Sequence, residues 1–204
     1  MNYGRLPIAE QLDVFRATVL RNGLVPEILA RAAEFDLPGW YLTAGCLCQT
    51  VWNVLTGRPP AEGIKDYDLF YFDDSDLSWE AENSVIEAGA KLFGDLPAAV
   101  EIRNEARVHL WYEERFGVPC APYESTEAAI DSFPSSTPCL GIRQTRDGAW
   151  RVYAPHGFGD MFNLVVRPNP VHAPQSSYQA KSRRWQAQWP QLTVLPWLPR
   201  GNPD

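Results

Sequence analysis

The stretch Ile64-Lys65-Asp66-Tyr67-Asp68-Leu69-Phe70-Tyr71-Phe72 sets two carboxylates two residues apart in an otherwise apolar and aromatic run. Its β-branched and aromatic side chains read as a buried strand. Side chains alternate along a strand, so residues i and i+2 share a face about 6.6 Å apart. Asp66 and Asp68 are therefore presented side by side from an element that belongs in the core. Unpaired buried carboxylates are costly to keep ionised, and a cation or basic partner normally accompanies them. A divalent metal is the obvious candidate. The plainer alternative for an Asp at a strand start is that it accepts backbone hydrogen bonds or sits on the solvated face.

Around this strand the chain alternates helices and strands. Apolar residues at Ile8, Leu12, Phe15 and Val19 mark one helical face within 6–21. A second helix is expected over 25–35, with Pro26 suited to its first turn. Trp40 to Gly45 reads as a short strand ending on glycine. Cys46 to Gly57 reads as a helix with Leu47, Val51, Trp52 and Leu55 on one stripe. Asp73, Asp74 and Asp76 suit the start of a helix running to about Phe93. A third strand is expected at 98–102, then helix over 104–116, a short helix over 123–133, and a hairpin of 139–144 with 149–153 across Asp147-Gly148. Residues 157–164 are ambiguous, 178–189 read as a final helix, and the tail beyond Pro190 reads as irregular. This pattern gives a mixed α/β or α+β fold around a small sheet.

Bulk properties exclude some functions. At 204 residues the chain suits one domain with a substantial core. A net charge of −7 argues against a broad sequence-independent nucleic-acid surface, though not against a local basic pocket. Cys46, Cys48, Cys120 and Cys139 lack the paired spacings of a zinc site and read as reduced thiols. The opening residues show no signal-peptide pattern and no apolar run approaches a membrane span, so a soluble cytoplasmic protein without a membrane partner is expected.

Three pieces then line up in order: Ala44-Gly45-Cys46 where a strand turns into a helix, Asp66/Asp68 on the next strand, and Glu101 between Val100 and Ile102 on a third. In this arrangement the chain resembles the DNA polymerase β-like nucleotidyltransferase superfamily. More narrowly it resembles a group of small bacterial nucleotidyltransferases of undefined substrate. The narrower resemblance rests on Ala44-Gly45-Cys46-Leu47, Val51-Trp52-Asn53, Asp66 through Asp73, and Arg103-Asn104-Glu105-Ala106-Arg107-Val108-His109. It continues with Ala154-Pro155-His156-Gly157 through Asp160 and with Trp189-Pro190-Gln191-Leu192.

The resemblance implies an α+β fold, a polymerase β-like core of a small mixed sheet with helices packed on it, plus helical additions at both ends. One domain is expected over 1–204: a helical segment at about 1–38, a core at 39–165, and a Pro-rich segment with one helix at 166–204. It implies transfer of a nucleoside monophosphate from an NTP to an acceptor with Mg2+ or Mn2+. Asp66, Asp68 and Glu101 would be catalytic and metal-binding. Ala44, Gly45, Cys46, Arg103, Asn104 and Arg107 would bind the nucleotide, with Arg103 and Arg107 sharing a helical face. Magnesium suits such acids because it accepts carboxylates, waters and phosphate oxygens.

Cys46 stands where the family usually has Gly or Ser, which removes one hydroxyl contact to phosphate. A catalytically silent nucleotide-binding module is therefore the alternative, and a metal-dependent phosphohydrolase a third reading. The acceptor, a small molecule or protein sooner than a long nucleic acid, is not legible. His109, Asp160, Trp185 and Trp189 read first as packing or capping residues, and Lys65 points to the opposite strand face from Asp66.

Overall fold

The computed structural model describes residues 3–197. Helix α1 (Ile8–Val19) buries Phe15 and Val19 of the expected stripe while Ile8 at its start is exposed, and α2 (Leu24–Phe35) buries Val25, Ile28, Leu29 and Ala32. Strand β1 (Tyr41–Thr43) leads directly into α3 (Gly45–Leu55), and β2 is Asp66–Tyr71. Helix α4 (Trp79–Phe93) follows, capped by the Ser78 hydroxyl, which accepts from the Ala81 N–H at 3.2 Å. The neighbouring acid Asp76 instead accepts from the Ser78 N–H at 2.8 Å, setting the turn that leads into the cap.

Strand β3 (Ala99–Asn104) is followed by a 3-10 turn (Glu105–Leu110), α5 (Tyr112–Phe116) and α6 (Thr126–Asp131). The hairpin β4 (Gly141–Gln144) and β5 (Trp150–Tyr153) comes next. Then follow α7 (Gly159–Phe162), β6 (Val165–Val166), α8 (Gln175–Gln188) and β7 (Thr193–Val194).

Five strands form one sheet in the order β3-β2-β1-β4-β5. The β2–β3 pair is parallel, joined by the α4 crossover, and the other pairs are antiparallel. This is the expected α+β architecture with a small mixed sheet. Helices α1, α2, α3 and α8 share one buried cluster with the sheet, including Phe15, Leu29, Leu42, Val51, Leu69 and Trp185. Trp52 meets Trp185 and Trp189 edge-on at 5.4 and 5.5 Å between ring centres, and the Trp189 indole N–H donates to Asn53 Oδ1 at 2.8 Å. Such aromatic pairs add about 0.5–1.5 kcal/mol each beyond their burial. Trp185 and Trp189 therefore tie the C-terminal helix to the one that follows β1.

Two stretches differ from their local patterns. Residues 104–116 do not form one helix. Arg103 and Asn104 extend β3, opposite Phe70 and Tyr71, and the Asn104 side chain then accepts from the Ala106 N–H at 3.2 Å. Trp111, at φ −129°, breaks the turn before α5. Ladder pairing on β2 outweighs local helix propensity here, so Arg103 and Arg107 do not share a helical face. Beyond Pro190, Thr193 and Val194 pair in parallel with Val165 and Val166, where an irregular tail is expected from the prolines. Among the described residues no helix is long and apolar enough to cross a membrane.

Candidate functional site

Three strands place the site. The register sets Thr43 opposite Asp68 and Asp68 opposite Glu101, so the end of β1 and two acids lie in one row across the sheet. Tyr67, Leu69 and Tyr71 face the core, which leaves Asp66, Asp68 and Phe70 on the other face. In a parallel pair, opposed residues share a face, so Glu101 and Arg103 join them. The Tyr67 side of β2 is anchored by the Asn22 amide, which donates to the Tyr67 hydroxyl at 2.8 Å and to Thr50 Oγ1 at 3.0 Å.

Ala44, between β1 and α3, adopts φ 63° and ψ −135°, a backbone region that L residues rarely occupy. This lets the strand turn into a helix within one residue. Strain of order 1–3 kcal/mol is typical of such a residue and clusters at functional sites. A Cβ at Gly45 would lie 2.5 Å from Gln49 Nε2, so the end of the Gln49 side chain would have to turn away to admit one. No side chain caps α3, so its first-turn N–H groups have no side-chain acceptor. Cys46 is fully buried, and its thiol donates to the Thr43 carbonyl at 3.2 Å. Burial and the Asp68 charge push that thiol well above its ordinary value, so the side chain is an inert structural group.

The acids are electrostatically unbalanced. Burial, then the neighbouring Asp66 charge, pushes the Asp68 carboxyl up to about 7, against the opposing pull of Lys181 and Arg103. Glu101 is half exposed and leans toward Arg103, 3.9 Å away. Among the described residues no three His, Cys, Asp or Glu side chains are gathered tightly enough to cage a metal by themselves. Two oxygen-bearing acids on one face still suit magnesium or manganese, because such ions take one or two carboxylates and complete their shell with water and phosphate. Cation binding would also relieve the repulsion that holds the Asp68 carboxyl up. The donor set fits the metal.

Asn104 and Arg107 are placed differently. Asn104 is buried on the core side of β3, where it accepts from the Asp73 N–H and donates to the Asp73 carbonyl. Arg107 is buried against Glu82 and donates from Nε to the Leu77 carbonyl at 2.9 Å. Glu82 also accepts from the Asn104 N–H at 2.9 Å. These groups lock β3 to the start of α4 and are not brought to the acid row.

Beyond Phe70 and Arg103 the acid face runs into a cavity of about 700 Å³ that the sequence pattern does not reveal. Its walls include Trp111, Phe133, Lys181 and Arg184, and the buried Glu105. The acids themselves do not line it. Lys181 links the two regions, since it lines the cavity and lowers the Asp68 carboxyl. Ser177, Lys181 and Arg184 fall at i, i+4 and i+7, so the helical spacing of α8 is a signal that they share a face. Which element that face meets is not encoded locally.

A family model described as Nucleotidyltransferase matches residues 30–194. A solution NMR structure described as revealing a CCA-adding enzyme head domain is similar to this chain at 25% identity, covering 93% of this chain and 96% of that one, with a TM-score of 0.71. No curated protein matches the chain.

Proposed function

The chain belongs to the nucleotidyltransferase family, and from that premise we propose that it moves a nucleoside monophosphate from an NTP to an acceptor hydroxyl, with Mg2+ or Mn2+ bound at Asp66 and Asp68. The observation that carries this reading is the Thr43–Asp68–Glu101 row, which sets the uncapped start of α3 beside two acids on one sheet face. Backbone N–H groups of Gly45 and Cys46 receive the β and γ phosphates, a task that needs no hydroxyl at position 46. Asp66 and Asp68 would supply the carboxylate oxygens that hold a divalent ion, which would neutralise charge developing on the transferring phosphate. The acceptor oxygen bonds to the α-phosphorus as the α–β bridging oxygen leaves with pyrophosphate, and Glu101 takes the acceptor proton. Arg103, beside Glu101, offsets negative charge on the α-phosphate.

The second reading is a silent nucleotide-binding module. One experiment separates the two. The protein is melted with ATP, GTP, CTP or UTP plus Mg2+ or Mn2+, and assayed for transfer of label from the α-phosphate to any acceptor in a metabolite pool. A nucleotide at about 100 times its dissociation constant should stabilise the fold by about 2.7 kcal/mol. That gain and the transfer should both vanish in Asp66→Asn and Asp68→Asn. Transfer retained in both variants rejects the proposal; metal-dependent binding without transfer selects the silent module.

A further inference from the structure

The cavity beyond Phe70 has features that donor binding at the acids does not use. β1 runs antiparallel to β2, with Thr43 opposite Asp68 and Tyr41 opposite Phe70. The chain therefore leaves β1 toward the Asp66 end of β2, and α3 starts there. Phe70 and the cavity lie at the other end, past the acids. In-line transfer keeps the leaving and attacking oxygens on opposite sides of the phosphorus. With pyrophosphate leaving toward α3, the attacking hydroxyl comes from the cavity side, where Arg103 stands opposite Phe70.

The lining describes the acceptor. Arg103, Arg115, Lys181 and Arg184 line this one cavity of a chain whose net charge is −7. Among the described residues Arg115, Lys181 and Arg184 form no ion pair. Phe70 and Phe133 meet edge-on at 5.9 Å and, with Trp111, offer flat apolar walls. Glu105 is 4% exposed, and its Oε1 has no hydrogen-bond partner. Its environment includes Arg103, Asp68, Glu82, Cys120 and Tyr123, and burial pushes its carboxyl up to about 8, which suits a group that shares a proton with a ligand. The volume, about 700 Å³, is that of a small-molecule site.

We infer that this cavity is the acceptor site and that the acceptor is a small anion built on a ring and carrying a free hydroxyl, with Glu105 hydrogen-bonding to it and the arginines meeting its charge. The word acceptor rests on the transfer reaction proposed above; the ligand class rests on the cavity alone.

The test is calorimetric titration of the protein, without NTP, with phenyl phosphate, benzyl alcohol, inorganic phosphate and a tetraribonucleotide. Ala180→Trp, which fills the cavity from an exposed helical position, and Arg184→Ala are compared with wild type and Asp68→Asn. Phenyl phosphate should bind about tenfold or more tightly than benzyl alcohol or inorganic phosphate. Binding should weaken about tenfold or more in Ala180→Trp and severalfold in Arg184→Ala, and hold in Asp68→Asn. Stabilisation by NTP with Mg2+ should show the reverse pattern. Arg184 is exposed, so its variant reads out even where Ala180→Trp fails to fold. Phenyl phosphate binding that is absent, or equal in wild type and Arg184→Ala, overturns the inference. So does a tetraribonucleotide that binds more tightly through the same residues, which would make the ligand an RNA end. Loss of NTP stabilisation in the cavity variants would make this the donor's pocket. A wild-type protein that binds phenyl phosphate here yet ignores every NTP removes the reaction, and the acceptor role with it, while the ligand class stands.

Discussion

Asp68→Asn should make the metal-free protein more stable while removing its proposed activity. The Asp68 carboxyl is raised from 3.8 to about 7, first by burial and then by the Asp66 charge. Between those values the folded protein holds a proton that the unfolded chain has released, so stability falls as pH climbs through the window and the loss is complete above it. Three units at 1.36 kcal/mol each set a ceiling of about 4 kcal/mol, and relaxation and solvent access bring the expected gain at pH 8 to about 2–4 kcal/mol. Asparagine keeps the shape and removes the charge. For a chain of this size the gain corresponds to roughly 4–16 °C in Tm. Thermal melts in EDTA at pH 5 and pH 8 check it: the variant melts higher at pH 8, and the gap narrows at pH 5. Mg2+ with NTP should also narrow the gap at pH 8, because only wild type gains from binding. A variant that melts at or below wild type at pH 8, or a gap independent of pH, refutes the argument that this carboxylate is held without compensation.

Other outcomes follow from residues around the site. Glu82→Ala leaves the Arg107 guanidinium buried without its partner, so stability should fall by about 3–5 kcal/mol in a denaturant melt. The buried Cys46 thiol should resist iodoacetamide at pH 8 in the folded protein and react on unfolding, as read by mass spectrometry of its peptide. Cys46→Ser should retain NTP binding within about twofold, because the phosphate contacts proposed at this turn are backbone N–H groups; a gain or loss of tenfold would show that the side chain meets the phosphate.

The expected helix over 104–116 shows where local reading ends. Its residues carry a helical pattern, yet Arg103 and Asn104 gain ladder partners on β2 and stay in the strand. Arg103 thereby moves to the acid face and Asn104 to the core. Arg107, chemically suited to phosphate, is instead drawn to Glu82, since a buried carboxylate and guanidinium each satisfy the other. The C-terminal helix was visible as a helix, but the face it turns toward Phe133 and the cavity was not.

What the sequence by itself determined is local. Period-two alternation places Asp66 and Asp68 on one face, an apolar stripe makes a helix of the residues after Gly45, and the ordered set of motifs carries the family resemblance. These hold within a window of a few residues, where backbone geometry alone decides direction. The tertiary structure decided which strands are neighbours, and so that Asp68 faces Glu101 and Thr43 in one row. It also decided that α8 brings Lys181 and Arg184 to a cavity beyond the acids. Pairings between distant segments are selected by the shared apolar surface they bury and by the polar groups they satisfy, quantities that exist only once the elements have met.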